Sequence, residues 1–230
     1  MFAQGELLAL VTVALGHELI EPLAAISSRV HTARCALAAQ KLDLGRTRAA
    51  IEDIARDTKR AIDSVDSMKA ILQHNTVEMS PVSIEETIHN VGRIIRADAA
   101  LKKIIVRVDL PKSLPSVVGN KTQLIQAIMN LVVNAFEAIG EDDTDVREVK
   151  IAARQHELGR VHITVSDSGK GKAPEVMPRL FEPFFTTKPR GLGVGLAIVR
   201  SIVESHRGHV RVIPNRNRGA PVEFDLPASE

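Results

Sequence analysis

The chain has 230 residues, 44% of them hydrophobic and 25% charged, enough to bury a core in one large or two modest domains. Lys and Arg total 30 against 28 Asp and Glu, and a formal charge of +2 is too balanced to suggest a phosphate-neutralising face, so no nucleic-acid partner is expected. The single cysteine, Cys35, has no partner for an internal disulfide; it fits a reducing compartment and reads as a small apolar helix residue.

The apolar opening stretch from Leu7 to Ile26 is interrupted by His17, Glu18, Glu21 and Pro22. Charge at a bilayer centre costs about 3 kcal/mol or more, so this stretch predicts no membrane contact. No basic segment precedes it and no small-residue cleavage site closes it, which leaves a cytoplasmic chain as the expectation. Its periodicity is helical: Leu8, Val11, Leu15, Leu19, Pro22, Ile26, Val30, Ala33 and Leu37 recur every three or four residues. Asp43 and Gly45 mark a break. A second run carries Ile51, Ile54, Thr58, Ala61, Val65, Met68 and Leu72 on a heptad seam. The two runs predict an antiparallel hairpin over 1–75. One hairpin cannot cover two seams, so the pattern predicts a homodimer closed into a four-helix bundle. The same stripes also fit an ordinary helix pair packed on the core of its own domain.

Periodicity lapses from Gln73 to Pro81, and a linker is expected over 76–82. The remainder, 83–230, reads as an α+β sandwich with helices on one face of a mixed or antiparallel sheet. Ser83 with Glu86 is a capping box that opens a helix through about Ala100, and Ile104 to Val108 reads as a strand stopped by Pro111. Asn120 with Gln123 caps the helix that carries Leu124, Ile128, Leu131, Val132 and Ile139. Val149 to Ala153 and Val161 to Val165 read as a strand hairpin turning through 157–160. A glycine-rich loop, a helix from Val194 to Ser205 and a strand pair near Val210 to Ile213 and Val222 to Asp225 complete the chain.

Three features of this second region carry chemistry. Asn130 and Asn134 stand one helical turn apart, and amide oxygens on one face suit Mg²⁺, a hard cation that takes oxygen ligands. Asp167-Ser168-Gly169-Lys170-Gly171 directly follows a strand; its carboxylate can accept from an adenine amino group while the glycines admit close backbone approach. Turns use the same residues. Gly191-Leu192-Gly193-Val194-Gly195 opens a helix, where free N–H groups and the positive helix end seat phosphates. The last of these lacks the βαβ unit and the distal acid of a dinucleotide fingerprint, and no Gly-Lys-Ser or Gly-Lys-Thr closes it as a Walker loop.

Asn130 to Ala138, Asp167 to Gly171, Phe181-Glu182-Pro183-Phe184-Phe185-Thr186-Thr187-Lys188 and Gly191 to Val199 occur in the order and spacing of the histidine kinase ATP-binding domain. From about Ser83 onward the chain resembles that domain, a Bergerat-type fold shared with gyrase, mismatch-repair and chaperone ATPases. The resemblance implies that Asn130 and Asn134 hold Mg²⁺. It implies that Asp167, Gly169 and Gly171 seat the adenine of ATP, and that Gly191, Gly193 and Gly195 close a short lid. Lys188 and Arg190 are candidate phosphate contacts by charge and position; a solvated lid face is the alternative.

Leu15-Gly16-His17-Glu18-Leu19-Ile20-Glu21-Pro22-Leu23 is similar to the phosphoacceptor box of the same family, with His17 at the acceptor position. The resemblance implies a sensor histidine kinase of a two-component system. It would autophosphorylate His17 and pass the group to an aspartate in the receiver domain of a response regulator. Glu18 can fix the tautomer of the ring and act as the base. Pro22 removes the N–H that would bond the Glu18 carbonyl, which predicts a bend and a hinge. His31, His74, His89, His156, His162, His206 and His209 are expected to be structural or exposed. Glu21 departs from the family, whose boxes usually carry threonine, asparagine or glutamine there and use that residue in dephosphorylating the regulator. Two rivals stand beside the kinase: a phosphotransfer module or pseudokinase that docks a regulator without ATP turnover, and a clamp ATPase of the gyrase and chaperone type.

Overall fold

The computed structural model describes residues 4–38, 43–72, 78–140, 146–156, 159–188, 193–213 and 218–229. Within the first two helices it describes side chains from residue 20 onward, apart from 59–60, 63–64 and 66–72. The chain divides into two compact units, Met1–Gln73 and His74–Glu230.

The first unit is a hairpin of α1 (Gln4–Ala38) and α2 (Leu44–Leu72). Gly45, expected at the break, lies inside the first turn of α2. Asp43 makes the start instead: its Oδ1 accepts the Arg46 N–H at 2.9 Å, satisfying one of the orphan donors of a helix N-terminus. Helix α1 continues through Pro22 without interruption, because a proline removes one ladder bond and leaves the rest.

The expected seams are only partly buried inside this hairpin. Pro22, Ala36 and Ala50 are buried, and Ile26, Ala33, Ile54, Ala61 and Val65 partly so, whereas Val30, Leu37, Ile51 and Thr58 are exposed. Two helices can cover only one stripe of each, and here that stripe is made of small residues and ions. Arg29 Nε donates to Asp53 at 3.1 Å, and Arg29 also pairs with Asp57, whose side chain is 4% exposed. The side chains of Leu8, Val11, Leu15, Leu19, Met68 and Leu72 lie outside the described residues.

The second unit runs β1 (Ser80–Val82), α3 (Ile84–Leu101), β2 (Ile105–Asp109), β3 (Val117–Gly119), α4 (Lys121–Gly140), β4 (Glu148–His156) and β5 (Arg160–Asp167). A 3-10 helix (Pro174–Arg179), α5 (Gly195–Ser205), β6 (His209–Val212) and β7 (Val222–Pro227) follow. The main sheet has the order β2-β4-β5-β7-β6, with β2 parallel to β4 and the other pairs antiparallel. Val149, Ile151, Ala153, Val161, Ile163, Val165, Phe224 and Leu226 alternate into the buried face, where α4 and α5 pack. Helix α4 is apolar and long enough to pass for a membrane span, yet its apolar face is the core of this sandwich: Leu124, Ile128, Leu131, Val132, Phe136 and Ile139 are buried in it.

Ser80–Val82, expected in the linker, is instead strand β1, paired antiparallel with β3, and Val82 is buried. Strands this short carry no readable alternation, and Pro81 sits where an edge strand tolerates it. Of the capping box at α3, one half forms: the Glu86 N–H donates to Ser83 Oγ at 3.2 Å. The Glu86 carboxylate turns away to Lys121 Nζ at 2.8 Å, and that ammonium holds its pKa below the usual value.

His206, expected to be structural, ties α5 to the start of α4. The Asn120 N–H donates to His206 Nε2 at 2.9 Å, so the ring proton sits on Nδ1 and is donated to the Ile202 carbonyl at 2.7 Å. Burial lowers the pKa of this ring, because a second proton would face the Asn120 N–H without solvent. The unfolded chain binds that proton more readily than the native one, so the stabilising contribution of His206 is complete above the unfolded pKa near 6.5 and is lost as pH falls below it. Glu86, Asp109 and Glu223 also have lowered pKa values, Asp109 to about 2, and all act below pH 4.5. Between pH 6.5 and 5, the wild-type Tm is therefore expected to fall more steeply than that of His206→Gln, which keeps a donor and an acceptor without a titrating proton. Parallel curves by differential scanning calorimetry would remove His206 as the cause.

Candidate functional site

Helix α4 is the spine of the site. Asn120 starts it, with Oδ1 accepting the Gln123 N–H at 3.0 Å, and the helical period then sets Asn130, Asn134 and Glu137 along one face. Three separate parts of the chain close on the stretch from Asn134 to Ala138. Gly195, at the start of α5, comes so near Asn134 that an added Cβ would lie 3.5 Å from its amide nitrogen. Lys188 forms an ion pair with Glu137. Gly169 packs against the end of the same stretch, where an added Cβ would meet the Ala138 carbonyl oxygen at 2.7 Å.

The Asp167 carboxylate is held by its own neighbourhood. Oδ1 accepts the Gly169 N–H at 2.9 Å and Oδ2 faces the Ala220 N–H at 3.4 Å. Each carboxylate oxygen has further lone pairs, so the group is fixed in direction and can still accept from a ligand. Asn130 is the complementary case. Its Nδ2 is buried without a hydrogen-bond partner on a part-buried helix face, and that unspent N–H capacity is open to an acceptor atom of a ligand.

The amide oxygens of Asn130 and Asn134 suit Mg²⁺ in the form a nucleotide brings it. Among the described residues no group of three or more His, Cys, Asp and Glu is placed to hold a metal ion. A dication here would rest on amide oxygen and phosphate oxygen, which Mg²⁺ prefers.

Of the residues expected to carry function, Asn130, Asn134, Asp167, Gly169, Gly171, Lys188, Gly193 and Gly195 all lie in the second unit. Gly193, with φ of 67°, sits against the Phe185 carbonyl, and Gly171 faces the Gly219 carbonyl. Lys188 is not on a solvated face: its side chain is 16% exposed. Arg190 and Gly191 lie outside the described residues. His17 and Glu18 belong to α1 in the first unit, with side chains outside the described residues.

Residues 119–230 match the family of histidine kinase-, DNA gyrase B- and HSP90-like ATPases. The sensor protein FixL of Bradyrhizobium diazoefficiens is 32% identical over 218 residues, which cover 94% of this chain and 43% of FixL. The crystal structure of full-length ShkA in complex with AMPPNP is similar across both units, with 25% identity and a TM-score of 0.67, over 96% of this chain and 46% of ShkA. Residues 119–230 carry that ATPase domain, and the chain as a whole is similar to sensor histidine kinases. It spans less than half the length of FixL and of ShkA. The histidine kinase ThkA, in complex with the response regulator protein TrrA, shares the fold at a TM-score of 0.73 and 24% identity, over 97% of this chain and 63% of ThkA.

Two site residues of the second unit escape a reading of the sequence. Gly219 and Ala220 come from the segment before β7, far along the chain from Asp167, yet the Gly219 N–H donates to the Gly169 carbonyl at 2.7 Å and Ala220 faces the Asp167 carboxylate. On α4, Glu137 had no partner in view until Lys188 was placed beside it.

Proposed function

We propose that this chain binds MgATP in the second unit, phosphorylates its own His17 and passes the phosphoryl group to an aspartate of a response regulator. The observation that carries the reading is the convergence of Gly169, Lys188 and Gly195 on Asn134 to Ala138 of α4. It gathers an oriented carboxylate, two amides, a cation and a helix N-terminus in one unit. Asp167 would accept from the adenine amino group, and Asn130 and Asn134 would hold Mg²⁺, which supplies positive charge to the phosphate oxygens. The N–H groups at the start of α5 would face phosphate.

In the transfer, an imidazole nitrogen of His17 gives its lone pair to the γ-phosphorus while the bond to the bridging oxygen breaks and ADP departs. Glu18 would accept a hydrogen bond from the N–H of the other ring nitrogen and steady the cation that forms. A carboxylate of the regulator then attacks the same phosphorus and returns the ring to neutral. Hydrolysis alone, as in a clamp ATPase, leaves His17-Glu18 on the hairpin without a task.

A homodimer is part of the proposal. The hairpin leaves Ile20, Leu23, Leu44, Ile51 and Ile62 each more than half exposed, and a second copy would cover them. A cytoplasmic location is part of the same proposal, since ATP and a regulator would be available there. Incubation with ATP labelled at the γ-phosphate tests the reading: an acid-labile, alkali-stable phosphoprotein is expected, and release of free phosphate without labelled protein would overturn it.

Glu21, exposed on α1, gives a second expected result. A carboxylate about 5 Å from a phosphoryl group costs on the order of 3 kcal/mol per unit of like charge at an effective dielectric of ~20, or about a hundredfold in rate. Glu21→Gln is therefore expected to dephosphorylate the regulator faster than wild type in ADP without ATP. Faster loss of phosphate with wild type would make Glu21 a base for water instead.

A further inference from the structure

Glu137 has no role in the reading above, and its position gives it one. It follows Asn134 by three residues and Asn130 by seven, which places all three on one face of α4. Its partner, Lys188, lies 51 residues further along the chain, at the end of the Phe181 to Lys188 segment, and the ion pair between them joins that segment to α4. Lys188 is held at both ends: its backbone N–H donates to Thr186 Oγ1 at 3.0 Å and its ammonium to Glu137. The lysine side chain is 16% exposed and the glutamate 48%. A surface pair of two free side chains would be worth little; here most of the lysine side chain is withdrawn from solvent while its partner stays half wet.

We infer that Glu137 is a positioning residue, which holds the Lys188 ammonium on the amide face of α4 so that it meets the phosphates of a bound nucleotide. The inference rests on the proposed ATP site. Lysine is a flexible point charge whose free rotamers must be lost when it binds phosphate. An ammonium has three N–H donors, so one can stay on Glu137 while the others turn to phosphate oxygens. Ordering the side chain before the ligand arrives removes that loss from the binding step. The carboxylate also repels phosphate, and the sign of its net effect decides between a positioner and a competitor.

Titration calorimetry of the full chain with adenosine, AMP, ADP and the non-hydrolysable AMPPNP, all with Mg²⁺, separates these roles. Glu137→Gln and Lys188→Met are each expected to weaken AMPPNP by roughly tenfold, the size of one charge-assisted hydrogen bond. Adenosine binding should stay unchanged, and the loss should grow with the number of phosphates, which a merely structural defect would not produce. The double variant should be no weaker than either single one. Glu137→Asp, too short to reach, should resemble Glu137→Gln. If Glu137→Gln binds AMPPNP as tightly as wild type, or more tightly, the positioning role is overturned and the proposed ATP site stands. If wild type itself binds none of the four, both fall together.

Discussion

His17→Ala is expected to abolish labelling from γ-labelled ATP while the affinity for ADP stays at the wild-type value. The proposed acceptor lies on α1, in the unit Met1–Gln73, and the proposed nucleotide residues lie in His74–Glu230, so the substitution would remove the nucleophile and leave the nucleotide residues in place. Alanine has no lone pair to offer, and the loss should reach the background. Glu18→Gln should be milder. It keeps an acceptor oxygen but gives up the charge that steadies the imidazolium, a loss of roughly a hundredfold or more on the scale of general acid and base catalysis. Calorimetry with ADP alongside the labelling assay checks both halves. Label that persists in His17→Ala would move the acceptor to another of the chain's histidines. Loss of ADP binding in the same variant would deny that acceptor and nucleotide site are separate.

What the sequence made legible, and what it hid, follows from the range of the interactions. Asn130 and Asn134 could be paired from sequence because a helix fixes neighbours one turn apart, and Asp167 could be placed because a strand leads directly into its loop. Both depend only on local geometry. The Asp167 clamp by Gly219 and Ala220 spans the whole distance to the β6–β7 connection, and nothing in the residue types announces it. Lys188 was visible as a cation, but its destination depended on which way the Phe181 to Lys188 segment folds back onto α4. The hairpin shows the converse. Its heptads were readable as a pattern, yet the stripe facing the partner helix holds Pro22, Ala36, Ala50 and the Arg29 pairs, while Val30, Leu37 and Ile51 stay outside. Periodicity marks apolar faces without saying which neighbour each one meets.

Gly219→Ala is expected to be among the most damaging single substitutions in the second unit. The residue has φ of 76°, where an L side chain strains the backbone by about 1–2 kcal/mol. Its added Cβ would also lie 1.9 Å from the Asp167 carbonyl oxygen, a backbone atom that cannot swing aside as a side chain can. Relief requires either the β6–β7 connection or the end of β5 to move, at a further cost of about 1–3 kcal/mol by analogy with overpacked cores. Any such movement breaks the bond from the Gly219 N–H to the Gly169 carbonyl and draws Ala220 from the Asp167 carboxylate, so adenine recognition should fail together with stability. Gly159 supplies the control. It has φ of 67° in the turn after β4, and an added Cβ there meets nothing within 4 Å. Gly159→Ala should therefore show the backbone strain alone, with ADP binding intact. Urea unfolding of the two variants isolates the steric part as their difference, and ADP calorimetry shows whether it reaches the carboxylate. Equal destabilisation by the two substitutions, with ADP affinity preserved in both, would mean that the Gly219 contact with Asp167 does not position the site.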